Sequence, residues 1–202
     1  MLLDNAMWRS RRIRQSDHHV RQFVKHLFEE LSPILATINY HPVVNKVIIW
    51  KDRQTILDQA FDERTSPSLN YLNGMNRWKR VYDPVPGDTV LVAVSGNDWG
   101  RKWYHSLPLF DYETVNGRTN QGAICERNES VLIVKHDDSK YQFVGRAYRD
   151  LVVTLAHEMA HVLGSDHDTE HLKKICRCSA DDLTFHPVCI MHTSATHAVR
   201  VQ

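Results

Sequence analysis

Residues 157–168 read His157-Glu158-Met159-Ala160-His161-Val162-Leu163-Gly164-Ser165-Asp166-His167-Asp168, and no other stretch of the chain constrains its fold so tightly. Residues four apart lie on one face of a helix, so the imidazoles of His157 and His161 can converge on a single ion. A third ligand continuing in the same helical direction would point elsewhere. Gly164 allows the chain to turn sharply, and His167 can then swing back to complete a three-histidine set with a fourth position open. That donor set suits one zinc ion, and an open position is the mark of a catalytic site. Glu158 follows the first histidine and would lie beside the open position. There a carboxylate can take a proton from a water activated by zinc and later deliver it to a leaving amine, which is peptide-bond hydrolysis. A lone His-x-x-x-His pair is often coincidental, but the glutamate, the glycine and the third histidine are all in place here.

The rest of the chain supplies a body for such a site. With 202 residues, 42% of them hydrophobic and 24% charged, it suits one ordinary domain, able to bury about 70% of the surface of its unfolded chain. There is no repeat, low-complexity tract or separating linker. A formal charge of +1, from 25 basic and 24 acidic side chains, gives no electrostatic case for nucleic acid. No apolar run is long enough to span a membrane. Apolar residues from Val20 to Ile38 recur at three and four, predicting a helix capped by Ser16 or Asp17 and disturbed by Pro33. A second helix is expected from about Ser66 to Arg80 and a third from Arg146 to Leu163, stopped at Gly164. Strands are expected at Val43–Trp50, Thr89–Val94 and Val131–Val134, with a short one near Gln121–Cys125 inside a Gly- and aromatic-rich stretch that is otherwise irregular. Strands alternating with helices indicate a three-layer α/β domain.

Thirteen histidines and four cysteines also call for explanation. His18, His19, His26, His41, His105 and His136 are most simply surface or core residues. Cys176, Cys178 and Cys189 lie together in a histidine-rich segment, which points to metal ligation or to an oxidising compartment. The N-terminus lacks the apolar stretch of a secretory signal, which by itself points to the cytoplasm. Arg9-Ser10-Arg11-Arg12 has the form of a basic processing site, but a solvated loop is the simpler reading. Asn128-Glu129-Ser130 is a glycosylation sequon, consistent with secretion.

The 157–168 motif resembles the metzincin clan of zinc proteases, and the aspartate after the third histidine resembles the ADAM, ADAMTS and snake-venom reprolysin group, with similar enzymes in tick and other arthropod secretions. Cys189-Ile190-Met191 looks like that group's Met-turn, and Gly122-Ala123-Ile124-Cys125 followed by Ser130–Val134 looks like its edge strand and the strand after it. The resemblance implies a mixed twisted sheet with a long zinc-binding helix and a small, mostly irregular C-terminal part. One catalytic domain would then fill residues 1–202, its upper part ending near 167 and its lower part, 168–202, carrying the Met-turn. It implies an extracellular, monomeric zinc metalloendopeptidase acting on a protein or peptide, with no membrane and no nucleic-acid partner. His157, His161 and His167 would bind zinc, Glu158 would be the general base, and Met191 would form the base of the site, aided by Asp168. The strand near Thr119–Ile124, with Gly122, Ala123 and Ile124, would pair with substrate, and His192 and His197 would lie near the pocket wall.

Further expectations follow from where this chain departs from that group. Leu2-Leu3-Asp4 resembles the end of the first strand, so the chain reads as trimmed at both ends. The usual partner of a cysteine at the place of Cys125 lies beyond a C-terminal helix, so Cys125 should be unpaired or paired out of pattern. Cys176 or Cys178 is expected to pair with Cys189; the alternative is a small second zinc site with His171 or His186. A competing function is an idle zinc-binding scaffold that acts as a secreted binding module. Weaker still is a zinc hydrolase with a glutamate as third ligand.

Overall fold

The computed structural model describes residues 1–10, 12–52, 65–82, 89–96, 116–126, 129–136, 144–168 and 190–191. Among the described residues five short strands form one sheet: β1 (Leu2–Leu3), β2 (Ile48–Ile49), β3 (Leu91–Ser95), β4 (Gly117–Thr119) and β5 (Val131–Lys135), in the order β2-β1-β3-β5-β4. The first four of these in space are parallel, and β4 closes one edge antiparallel to β5. Among the described residues four helices accompany them: α1 (Asn5–Trp8), α2 (Asp17–Ala36), α3 (Pro67–Tyr82) and α4 (Val144–Val162). The domain is therefore α/β with a mixed sheet.

Alternation along the strands explains the layering. Successive side chains point to opposite faces of a sheet, and a parallel sheet covered on both faces is apolar on both. Leu3, Val92, Val94, Leu132 and Val134 pack in one core with α2 and α4, while Leu2, Leu91, Ala93, Val131 and Ile133 pack in another with Leu72, Met75 and Trp78 of α3. Val131, Leu132, Ile133 and Val134 are all wholly buried. Each such side chain contributes about 1.5–3 kcal/mol of hydrophobic stabilisation, which fixes the register of β5 at the centre of both cores.

The helices follow the apolar spacing closely. Ser16 is the N-cap of α2, accepting the His19 N–H at 3.4 Å. The helix runs through Pro33 and ends three residues later. Gly164, at φ +99°, stops the helical path after α4. The strands follow less well. Of Val43–Trp50 only Ile48–Ile49 pairs; Val43 is 79% exposed, and Pro42, Val43 and Val44 instead line a cavity with Phe28, Leu31 and Met159. The segment 121–125 is not a strand but a turn followed by a 3-10 turn over Ala123–Cys125. Gly122 adopts φ +69°, a left-handed geometry that breaks extended pairing.

The front of the chain is integral to the fold. Leu2 and Leu3 form an interior strand of the sheet, between β2 and β3, and Asp4 caps α1 by accepting the Met7 N–H at 2.8 Å. Arg12 is not simply solvated; its guanidinium lies 4.4 Å from the centre of the Tyr148 ring. His136 is buried against Phe23, whereas His18, His26 and His41 are exposed. Among the described residues Cys125 is a free, exposed thiol, and no helix is long and apolar enough to cross a membrane. Cys176, Cys178, Cys189, His171, His186, His192, His197, His105 and Asn128 lie outside the described residues, so the expected pairing and second metal site lie outside them too.

Candidate metal centre

α4 packs against the sheet through Leu151, Val152, Leu155, Ala156, Met159 and Val162, all buried. That packing turns His157 and His161 toward the last turn of the helix and the loop beyond it. The Gly164 and Ser165 N–H groups bond back to the His161 and Ala160 carbonyls at 2.9 Å each, reversing the chain. His167 returns to the other two. The three Nε2 atoms form a nearly equilateral triangle, with sides of 3.1 Å (His157–His161), 3.1 Å (His161–His167) and 3.3 Å (His157–His167).

The hydrogen bonds on the far sides of the rings decide what those nitrogens can do. A carbonyl only accepts, so His157 Nδ1 donates to Ile190 O at 2.5 Å and His161 Nδ1 donates to Ser165 O at 2.7 Å. Each neutral ring thus carries its proton on Nδ1 and aims the Nε2 lone pair inward. Burial lowers the pKa of His157, which favours that neutral form. Lone pairs 3 Å apart repel unless a cation lies among them. Tetrahedral zinc with bonds of about 2.0–2.1 Å separates its nitrogen ligands by about 3.3–3.4 Å, close to the triangle observed. The donor set and its spacing fit zinc.

The surroundings tie this triangle to the sheet edge. Gly122 N–H bonds to His161 O at 2.8 Å, and Gln121 Nε2 donates to Asp166 Oδ1 at 2.6 Å, so the turn after β4 holds the loop that carries His167. On the other side Asp168 N–H bonds to Met191 O at 2.9 Å. Residues 190–191 therefore support both ends of the triad. Glu158, 6% exposed, lies against β4: a Cβ built on Gly117 would stand 2.7 Å from both its Cγ and its Oε1. Burial pushes the Glu158 carboxyl up to about 8, with the Arg118 guanidinium pulling it back down.

Gly122, Ala123 and Ile124 do not form the expected peptide-pairing strand. Gly122 spends its N–H on the helix end, Ala123 is buried, and Ile124 packs on the core. The edge strand lies just upstream at Gly117–Thr119. Gly117, Arg118 and Gln121 are thus the residues that reading the sequence missed. The signal available for Gly117 was a glycine facing a helix across a short strand, invisible without the strand's register.

A buried helix that presents two histidines, a glycine reversal that returns a third and a glutamate set against an edge strand together form a candidate metal centre whose donor set fits zinc. A family model described as metallo-peptidase family M12, of the reprolysin type, matches residues 3–201, and the chain belongs to that family. It is 24% identical over 164 residues to a zinc metalloproteinase/disintegrin of Craspedocephalus gramineus, covering 81% of this chain and 31% of that protein. It is 24% identical over 196 residues to the zinc metalloproteinase-disintegrin-like atragin of Naja atra, covering 97% of this chain and 26% of that protein. The chain spans less than a third of the length of either relative.

Proposed function

We propose that this chain is the catalytic domain of a secreted zinc metalloendopeptidase, in which His157, His161 and His167 hold one zinc ion and Glu158 is the general base. The observation that carries the reading is that Glu158, the residue after His157 of the histidine triangle, is buried against Gly117 of β4. Zinc, when bound, polarises a substrate carbonyl and makes water a stronger acid. The chain's own residues do the rest. Lys135 N–H bonds to Asn116 O at 2.7 Å, so in the alternating antiparallel ladder Gly117 and Thr119 turn their N–H and C=O groups away from β5. Among the described residues no strand covers that edge. An extended peptide can add to it and is thereby held alongside Glu158. Glu158 takes the proton of the attacking water and passes it to the departing amine. Met191 and Asp168 support the site from below.

The relatives named as zinc metalloproteinases support the zinc protease reading, to which secretion and extracellular protein substrates are added as part of the proposal. The test is digestion of a denatured-protein or peptide library by the purified chain, with zinc measured on the same sample. We expect one zinc per chain and cleavage that a chelator abolishes and zinc restores. A sample that holds zinc and cleaves nothing would favour the idle scaffold instead.

A further inference from the structure

Arg118 lies in the middle of β4, on the face opposite Glu158. Three observations place it there. It pairs with Ile133, which belongs to the α3 core, whereas Gly117 and Thr119 pair with Val134 and Leu132 of the α4 core. The Cβ position of Gly117 points at Glu158 and Thr154. Arg118 Nε donates to Ser68 Oγ at 2.7 Å, and Ser68 is a wholly buried residue in the first turn of α3. The guanidinium is thus pegged on a half-buried strand, facing the same side as α3. That first turn carries no acidic residue, and the positive end of the helix dipole adds to the same potential.

A peptide that adds to the outer edge of β4 places the side chain of its residue paired with Arg118 on the Arg118 face, because directly paired residues share a face. The main-chain groups of Arg118 point toward β5, so with a peptide running antiparallel to β4 the new pair is of the kind without mutual hydrogen bonds, in which the side chains approach most closely. We propose that Arg118 is a specificity-determining residue that selects peptide substrates carrying an aspartate or glutamate at the position paired with it. The proposal rests on the peptidase reading for its setting, yet binding alone can test it.

The experiment is a positional scan in which each site of a cleavable peptide carries either a carboxylate or its amide, Asp against Asn and Glu against Gln. One position should prefer the carboxylate by about 2- to 5-fold in kcat/KM, the range of an opposite-charge cross-strand pair. The preference should shrink in high salt. In Arg118→Gln it should vanish, and in Arg118→Glu it should pass to a lysine at the same position, which a purely structural peg would not produce. The same peptides are bound to Glu158→Gln and to Glu158→Gln/Arg118→Gln and followed by anisotropy. Absence of any cleavage by the wild-type chain would count against the peptidase reading alone, and the binding ratio would then decide. A carboxylate preference in binding that depends on Arg118 supports the proposal. Equal treatment of acid and amide at every position, or a preference that survives in Arg118→Gln, overturns it.

Discussion

Gly117 is where the smallest change should do the most selective damage. A methyl group there would stand 2.7 Å from Glu158 Cγ and Oε1 and 2.8 Å from Thr154 Cγ2, so the glutamate must move. A displacement of about 1 Å at a reacting group costs about 100-fold in rate. Gly117→Ala should therefore lose activity on that scale while holding its zinc, measured as kcat/KM beside metal content. Gln121→Ala removes one exposed hydrogen bond to the loop of the third histidine; zinc affinity should weaken by about 2- to 10-fold in a chelator competition. Asp4 gives a pH dependence. Burial raises its carboxyl above the ordinary 3.8, against hydrogen bonds from Ser95, Met7, Gly96 and Tyr71. A raised folded pKa means stability is fully present below the unfolded value and is lost as pH rises through the folded one. Unfolding free energy should fall across that window in the wild type. It should stay flatter in Asp4→Asn, whose Oδ1 can still accept the Met7 and Gly96 N–H groups. At this scale the convergence of the three histidines was legible because they and their glycine lie within one local stretch. Gly117, Arg118 and Gln121 were not, because what matters about each is a contact with a segment remote in sequence.

Elements were legible in proportion to their internal periodicity. α2 and α3 announce themselves by three-and-four spacing, and in α2 the spacing picks out the buried Val20, Phe23, Val24, Leu27, Leu31 and Leu35, whereas Ile38 lies past the helix end and is exposed. Short strands carry no such redundancy. A two- or three-residue strand is defined by its neighbours, which is why β4 was placed too far along and β2 was made too long. α4 should be the least tolerant element. Leu155 is wholly buried beneath the metal face, and Leu155→Ala should cost about 2–5 kcal/mol in denaturant unfolding. Gly164 is costly for another reason. A Cβ there meets nothing nearer than Gly122 Cα at 3.9 Å, but φ +99° is strained for any L side chain. Gly164→Ala should lose about 1–3 kcal/mol through the backbone alone and loosen the return of His167 with it.

For the whole molecule, the three-layer plan follows from apolar strands that must be covered on both faces, and that much the alternation of strands and helices made plain. The metal centre lies where one helix layer, the sheet edge and residues 190–191 meet, so zinc should act as a clamp among elements that are otherwise only packed. At free zinc of about 100 times Kd the folded state gains about 2.7 kcal/mol. Chelation should lower Tm by about 5–10 °C for a domain of this size, read by differential scanning calorimetry. The central claim concerns chemistry rather than stability, and Glu158→Gln tests it most directly. That variant keeps the size of the side chain and removes its basicity. Zinc content and peptide-bond cleavage should be measured side by side on it and on the wild type. The expected result is unchanged zinc with cleavage lowered by about 100-fold or more, in keeping with the loss of a general base. A Glu158→Gln protein that holds its zinc and cuts as fast as the wild type would contradict the account.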